Sequence, residues 1–374
     1  MVAKHNYLRN KLGKLGTHVF YMSLALISFG LIINFSASID VAEDNFLNPF
    51  HYLLRHLAQI LMGCVISGLA FLIPMDTWRK LSLKLLLLSW LLLSLVLLIG
   101  KEVNGSTRWL SLGIINFQPA ELSKIFLVLY LADFSVRYKK DLLVSWWGFI
   151  RPLIMLSVTG FLLLSQPDLG TLIVLSVCCL GLLFLVGVPL GRFMAILFAV
   201  VTSLAMFVWF VPFRMKRVLA FLEPFEHAYD TGYQLVMSLI AIGSGGVGGV
   251  SLGNSLMKSH FLPEAHTDFI FAIVAEEFGL AGSLTLIAAF SFLVYSILSI
   301  GRQCELKGNF FQAFTVYGIG LMFASQSIIN ISVAMGLLPT KGLTLPFISY
   351  GGSSLIVCCL AISICLRAAY EAKR

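Results

Sequence analysis

Long runs of apolar residues are the feature that most constrains how this chain can fold. The runs Leu85–Ile99 and Leu172–Val186 contain almost no side chain that prefers water, whereas a soluble core would alternate apolar with polar residues. Hydrophobic residues make up 59% of the chain and charged residues 12%, while an ordinary soluble domain is about one quarter charged. The sequence therefore predicts an all-α, polytopic integral membrane protein and excludes a water-soluble domain.

Charged residues and glycine/proline clusters divide the chain into ten apolar segments. These segments lie near residues 18–38, 53–73, 80–100, 118–136, 143–165, 170–188, 193–211, 269–299, 310–336 and 346–367. Several of them are close to the roughly 20 residues that a membrane-spanning helix needs. We therefore predict ten transmembrane helices that form a single membrane domain over residues 1–374.

The positions of lysine and arginine predict how these helices are oriented. With the N terminus in the cytoplasm, 17 basic residues fall on the cytoplasmic side and 8 on the outer side, and Lys124 lies inside a segment. Cytoplasmic loops of membrane proteins carry an excess of such residues. Residues 1–17 and 368–374 are therefore predicted to be cytoplasmic, and residues 212–267 to form a large periplasmic loop between helices 7 and 8. The formal charge of +8 is spread over many short loops, which argues against nucleic acid as a partner.

A short apolar segment and a glycine-rich stretch lie within the large loop. Tyr233–Ile242 is too short to cross a membrane, and six glycines follow it from Gly243 to Gly253. This pattern predicts a re-entrant or interfacial element over a cavity. The first glycines also match the G-x-G-x-x-G pattern of dinucleotide sites, but they lack the preceding strand that such a site requires. We therefore expect close backbone packing or a flexible gate here, and no nucleotide cofactor.

Three charged residues near the outer membrane boundary are candidates for binding an anionic substrate. Glu121 and Lys124 are three residues apart and share one helix face. Two interpretations remain open: a buried ion pair that holds two helices in register, or an ammonium group that Glu121 orients toward a phosphate. Arg108, next to Trp109, favours an anionic ligand because the planar guanidinium group suits phosphate.

Residues 338–354 interrupt the start of the tenth segment with two prolines and three glycines. Such a stretch cannot form an uninterrupted helix facing lipid, so its backbone must line protein or a water-filled space. Lys341 and Ser353 belong to this stretch. We therefore include both as candidates for substrate binding.

Asp268 lies at the outer end of the eighth segment, and Glu276 follows two helical turns later. Carboxylates that enter an apolar helix are costly unless they face the bundle interior or a wet cavity, so they are candidates for function. Three interpretations remain open. Asp268 could cap the helix while Glu276 pairs with a basic side chain. Asp268 could have a raised pKa and act as a general base, or both could bind a divalent cation such as Mg²⁺ or Mn²⁺ through oxygen.

The sequence resembles the shape, elongation, division and sporulation (SEDS) family, which includes FtsW, RodA and SpoVE, over nearly the whole chain. The motifs that carry the resemblance are Gly105–Leu112, Gln118–Lys124, Ser165–Thr171, Leu262–Phe269 and Leu345–Ser354. Residues 340–344 are more similar to the FtsW branch than to the RodA branch. Leu222-Glu223-Pro224-Phe225 departs from the family, in which relatives often have Asn/Asp-Pro-Trp.

The resemblance implies a ten-helix peptidoglycan glycosyltransferase in the bacterial inner membrane. Such an enzyme polymerises lipid II, which serves as donor and acceptor, releases undecaprenyl pyrophosphate, and works with a class B penicillin-binding transpeptidase and other division proteins at the septum. Asp268 matches the essential aspartate of the family, and Arg108, Glu121 and Lys124 match positions around the same cavity. Two alternatives remain: a lipid II flippase, because charged residues inside helices also describe a transport path, and a non-catalytic scaffold for division proteins.

Overall fold

The computed structural model describes residues 2–103, 106–111, 116–259 and 261–373, so Gly105 and Leu112 of the first family motif lie outside the described residues. The described residues are mostly α-helical. The helices are α1 (Val2–Phe46), α2 (His51–Leu72), α3 (Met75–Ile99), α4 (Pro119–Arg137), α5 (Lys139–Val144), α6 (Trp146–Ser165), α7 (Leu169–Val186), α8 (Leu190–Trp209), α9 (Pro212–Leu222), α10 (Tyr233–Ser244), α11 (Ile270–Leu306), α12 (Phe310–Ala334) and α13 (Gly352–Lys373).

Eight helices in the described part of the chain are long and apolar enough to cross a membrane, namely α1, α2, α3, α6, α7, α11, α12 and α13. The prediction of an all-α, polytopic membrane protein is therefore confirmed. Helix α4 carries four charged residues, and α8 covers the 20 residues Leu190–Trp209. The exact number of ten spanning helices stays a prediction.

The helix ends follow local sequence signals. Pro119 occupies the first turn of α4, where the missing N–H of proline costs nothing. The Asp168 side chain accepts a hydrogen bond from the Thr171 N–H and so caps the start of α7. Gly187, with φ of 93°, ends α7 in the left-handed conformation, which glycine adopts without a steric penalty. Helix α1 extends well beyond the predicted apolar segment at both ends, because a helix can continue into water where its side chains become polar.

Helix α12 lies at the centre of the bundle. It packs against α4, α7, α11 and α13, and more than half of its residues are buried. Helix α13 packs in turn against α1 and α2. Because these neighbours of α12 come from different parts of the sequence, polar side chains on α12 can join elements that are far apart in the chain.

A small antiparallel sheet connects α3 to α4. Its strands are β1 (Lys101–Val103), β2 (Ser106–Ser111) and β3 (Asn116–Phe117), in the order β1-β2-β3. Lys101 pairs with Trp109, and Leu110 pairs with Phe117. The sheet carries Arg108 on its middle strand, and so holds this side chain at the membrane face where α4 begins.

The glycine-rich stretch packs against a break in α11. Gly279 has φ of 63° and ψ of −159°, which are not helical values. The N–H groups of Val250 and Ser251 donate to the carbonyls of Glu276 and Glu277, at 3.0 and 3.1 Å. The Leu280 N–H donates in return to the carbonyl of residue 246 at 2.9 Å. Backbone groups freed by a break in a membrane helix must find such partners, so the expectation of close backbone packing is confirmed.

We expect Gly279→Ala to destabilise this junction by about 1–3 kcal/mol, since a non-glycine residue is strained at this φ. A Cβ atom on Gly279 would also lie 2.5 Å from the Gly249 backbone nitrogen. The measurement is thermal unfolding of the purified protein. Gly243→Ala is the matched control because a Cβ atom there meets nothing within 4 Å. Equal unfolding temperatures for the two variants would contradict the proposed role of Gly279.

Candidate active site

Asp268 lies half-buried in the turn that precedes α11. The carbonyl of Glu264 accepts hydrogen bonds from the N–H groups of Thr267, Asp268 and Phe269, at 3.1, 3.1 and 3.3 Å. The Asp268 carbonyl accepts a hydrogen bond of 2.9 Å from Asn330 Nδ2 on α12. The backbone of Asp268 is therefore fixed by its own turn and by the central helix, which leaves the carboxyl group to face the site.

Arg108 faces the same site from the sheet. Its Nε donates to the Gln166 carbonyl at 3.3 Å, and its Nη2 donates to the Pro167 carbonyl. These bonds attach β2 to the turn between α6 and α7. The remaining nitrogen, Nη1, lies 4.0 Å from the position of a Cβ atom on Gly342, and Asp268 Oδ2 lies 3.0 Å from the same position. The structure thus brings Arg108 and Asp268 together around Gly342.

The surroundings of Asp268 favour its protonated form. The pKa of Asp268 is raised to about 7, mainly by burial and also by the negative charges of Glu264 and Asp168, while the positive charge of Arg108 opposes the rise. A carboxyl group with a pKa near neutrality can accept a proton during a reaction and release it afterwards. Asp268 is therefore suited to general base chemistry at the membrane surface.

Glu121 and Lys124 form a buried ion pair. Lys124 is 1% exposed, and its Nζ lies 2.9 Å from Glu121 and donates to Gln326 Oε1 at 3.0 Å. Gln326 Nε2 donates in turn to the Thr344 carbonyl at 3.0 Å, and Thr344 Oγ1 lies 2.9 Å from Ser354 Oγ. The pair therefore connects α4 through α12 to the stretch that contains Gly342.

The two candidates from residues 338–354 occupy different places. Lys341 precedes Gly342 in the chain and is half-buried. Ser353 Oγ accepts a hydrogen bond of 3.0 Å from the Gln118 N–H and donates one of 3.2 Å to the Asn116 carbonyl. Ser353 thus attaches the start of α13 to the junction between β3 and α4.

Glu276 has partners of its own, separate from those of Asp268. Its carboxylate accepts hydrogen bonds from Ser255 Oγ and from the Leu256 N–H, the latter at 3.0 Å. Glu277 is buried beside it and lies 3.4 Å from Lys258 Nζ. Within the described ranges, no three His, Cys, Asp or Glu side chains are grouped so that they could hold a metal ion. The predicted cation at Asp268 and Glu276 stays a prediction.

An aromatic cluster borders Asp268. The ring of Tyr52 on α2 lies 5.3 Å from the His266 ring and 5.2 Å from the Tyr350 ring, between centroids. The Tyr350 N–H donates to the His266 carbonyl at 2.9 Å. Burial lowers the pKa of His266, which favours a neutral imidazole. These rings provide an apolar wall next to the charged groups.

Gln326, Asn330 and Gly342 were not among the residues predicted from the sequence. Asn330 Nδ2 donates both to the Asp268 carbonyl and, at 2.6 Å, to the Leu343 carbonyl. A signal was present, because Gln326 and Asn330 are polar residues four positions apart in an apolar segment and therefore share a helix face. Polar residues within membrane helices mark function or helix contacts.

Comparisons with known proteins identify the family of the chain. The profile of a family described as cell cycle proteins, FtsW/RodA/SpoVE, matches residues 17–374. The probable peptidoglycan glycosyltransferase FtsW of Coxiella burnetii is 46% identical over 351 residues, which cover 93% of this chain and 94% of the relative. The protein of the same name from Hahella chejuensis is 46% identical over 352 residues, which cover 94% of this chain and 89% of the relative.

Two solved structures share the fold. A chain from a peptidoglycan synthase complex that coordinates polymerization and crosslinking has a TM-score of 0.79 and 27% identity, with 95% of this chain and 97% of that chain covered. The rod shape determining protein RodA of Thermus thermophilus has a TM-score of 0.71 and 27% identity, with the same coverage. Since the family profile and the relatives extend over nearly the whole sequence, this chain belongs to the FtsW/RodA/SpoVE family of cell cycle proteins.

Proposed function

We propose that this chain is a peptidoglycan glycosyltransferase that polymerises lipid II at the outer face of the bacterial inner membrane during division. The relatives named above are called probable peptidoglycan glycosyltransferases. The observation that carries the proposal is that a carboxyl group with a pKa of about 7 and a guanidinium group lie 3.0 and 4.0 Å from the position of a Cβ atom on Gly342. A base and an anion-binding group are what transfer of a sugar from a pyrophosphate requires.

In the proposed mechanism, Asp268 takes a proton from a hydroxyl group of the acceptor sugar. The hydroxyl oxygen then forms a bond to the anomeric carbon of the donor, and the bond from that carbon to the pyrophosphate oxygen breaks. The electron pair of the broken bond stays on undecaprenyl pyrophosphate. Arg108 stabilises the charge that develops there, because a positive group placed at the leaving group favours the transition state over the ground state.

The other candidates support this pair in different ways. Lys341 is adjacent to Gly342 and supplies a second positive charge next to the leaving group. Lys124 is fully buried and bonded to Glu121 and Gln326, so its proposed role is to position the stretch containing Gly342 through the Gln326–Thr344 hydrogen bond. Ser353 fixes the neighbouring end of α13, and contact with substrate stays a prediction for it.

We propose a class B penicillin-binding transpeptidase as the partner. The synthase complex that shares the fold is described as coordinating polymerization and crosslinking, which are the reactions of two different active sites. On the basis of the family resemblance, we also propose that other division proteins at the septum are partners of this chain. Glycan chains formed at the outer face would reach a transpeptidase there without crossing the membrane.

A divalent cation remains a proposed addition to this site. Asp268 offers one carboxylate, whereas that of Glu276 is occupied by Ser255 and Leu256. A bound pyrophosphate could supply the further oxygen ligands that Mg²⁺ or Mn²⁺ prefers. Polymerisation assayed with Mg²⁺, with Mn²⁺ or with a chelator measures that need directly.

The proposed function is tested with the purified protein, its transpeptidase and labelled lipid II in liposomes. We expect glycan chains that appear as a ladder on a gel. Movement of the labelled headgroup across the membrane without chain growth would support the flippase instead. Absence of both activities, together with retained binding of division proteins, would support the scaffold.

We expect the rate of polymerisation to rise with pH through a midpoint near 7, because Asp268 must be deprotonated to accept a proton and its pKa is about 7. Glu264→Gln removes a negative charge that raises this pKa. The midpoint should therefore move to lower pH in this variant. The pH dependence of the initial rate is the measurement, and Glu226→Gln, at an exposed carboxylate of the long loop, is the control. A midpoint that does not move in Glu264→Gln contradicts the assignment of the midpoint to Asp268.

A further inference from the structure

Three adjoining cavities lie at the membrane face opposite Asp268. They have volumes of about 340, 390 and 620 Å³, and Arg137 lines all three. Helix α4 begins beside the sheet that carries Arg108 and ends at Arg137, so its last turn lies at the other face of the bundle. The distribution of lysine and arginine predicts that this face is cytoplasmic. The proposed glycosyltransferase reaction does not use these cavities.

The cavities are lined by more positive than negative side chains. The basic lining residues are Arg79, Lys80, Arg137, Lys139, Lys140 and Arg151, and the acidic ones are Asp76, Asp133 and Asp141. Six positive charges against three negative ones leave an excess that attracts anions. The predicted cytoplasmic end of a membrane-spanning bundle is where the headgroups of the inner leaflet would lie.

A buried carboxylate fixes two of the arginines. Asp133 is 2% exposed and accepts hydrogen bonds from Arg79 Nε at 3.0 Å and from Arg137 Nη2. One carboxylate cannot neutralise two guanidinium groups, and each arginine keeps further N–H donors. Arg79 and Arg137 are partly exposed, with 39% and 54% of their side-chain surfaces accessible. They are therefore held in place and still able to bind an anion such as a phosphodiester.

The middle cavity has an apolar wall below these charges. Leu83, Tyr130, Phe134 and Met155 line it together with Arg137 and Arg151. An opening with cations at the rim and apolar side chains further in is complementary to an amphiphile with a phosphate group and a hydrocarbon chain. An acidic peptide would satisfy the charges but would leave this apolar wall exposed.

We infer that these cavities bind an anionic phospholipid of the inner leaflet, with the phosphate between Arg137 and Arg151 and an acyl chain against Leu83 and Met155. Basic pockets between helices on the cytoplasmic side are suited to anionic headgroups. Trp146 and Trp147 are exposed at the same face, as is typical of side chains at the boundary between membrane and water. The bound lipid would contact α3, α4 and α6 at once.

The test measures lipid binding to the full chain in detergent by native mass spectrometry, with phosphatidylglycerol and phosphatidylethanolamine as the two probes. The variant is K80Q/K140Q/R151Q, which removes three positive charges but leaves Arg79 and Arg137 bonded to Asp133. The control is K11Q/K14Q/R302Q, which removes the same charge from exposed positions on the same face outside the cavities. Each basic side chain near an anionic surface contributes roughly fivefold in affinity, reduced by screening.

We expect the wild-type protein to prefer phosphatidylglycerol and the cavity variant to bind it at least about tenfold more weakly, while the control changes little. Equal binding of the two lipids by the wild-type protein would overturn the inference. An equal loss of phosphatidylglycerol affinity in the control variant would also overturn the inference. The lipid would then be attracted by the positive charge of the whole cytoplasmic face and not by the cavities. Binding of a poly-glutamate peptide with no preference between the lipids would point to an acidic protein segment instead.

Discussion

Replacement of Asp268 by asparagine is expected to lower the rate of glycan polymerisation by about 10² to 10⁴-fold, the range typical for loss of a general base. Asparagine has nearly the same shape as aspartate but cannot accept the proton from the acceptor hydroxyl. The hydrogen bonds that hold this turn use the Asp268 backbone, including its carbonyl bond to Asn330, so the variant should fold and insert normally. The measurement is the initial rate of chain growth from labelled lipid II.

Glu264→Gln is the matched control for this variant, because it removes a carboxylate from the same turn. It should retain polymerisation with the shifted pH dependence described above. Thermal unfolding of both variants should match the wild-type protein. Near-normal chain growth by Asp268→Asn would remove Asp268 from the mechanism, whatever the behaviour of the control.

Replacement of Lys124 by methionine is expected to lower the free energy of unfolding by about 3–5 kcal/mol, since removal of one member of a buried pair leaves the other charge without compensation. The remaining charge would be that of Glu121, which is 4% exposed. The double variant E121M/K124M should recover most of this loss, because an apolar pair of similar size is often as stable as a buried ion pair. Thermal or denaturant unfolding of the three proteins is the measurement.

The double variant also separates the two interpretations of Lys124. A positioning role predicts that E121M/K124M polymerises more slowly but measurably, because Gln326 still bonds to Thr344. A phosphate-binding role predicts a stable protein with a large increase in the KM for lipid II. A double variant as unstable as K124M alone would contradict the buried-pair interpretation.

The membrane helices could be predicted from the sequence because hydropathy depends on composition over about 20 residues, and not on tertiary contacts. Close packing of the glycine-rich stretch was expected for a similar reason, since glycine permits backbones to approach. The break in α11 was not expected. A single glycine in an apolar helix has no distinctive pattern, and the backbone of Gly249 and Val247 that packs against Gly279 comes from a distant part of the sequence.

The sheet between α3 and α4 was also not predicted, although Asn104-Gly105 is a hairpin signal. Its strands are only two to six residues long, too short for an alternating pattern to stand out. The sequence indicated most of the charged residues of the site, but it did not indicate how they are arranged. The packing of α4 against α12 decides whether Lys124 can contact a ligand or is buried against Gln326. A local sequence pattern does not contain this information.

The two hydrogen bonds donated by Asn330 determine how insertions or partner proteins would affect the geometry of the site. One amide nitrogen on α12 holds both the Asp268 carbonyl and the Leu343 carbonyl, so the distance between these two segments is set inside the bundle. Insertions in the outer loop, upstream of Tyr233, would leave that distance unchanged. A partner protein that tilts α12 would move Asp268 and Leu343 together, and so would preserve the spacing between them.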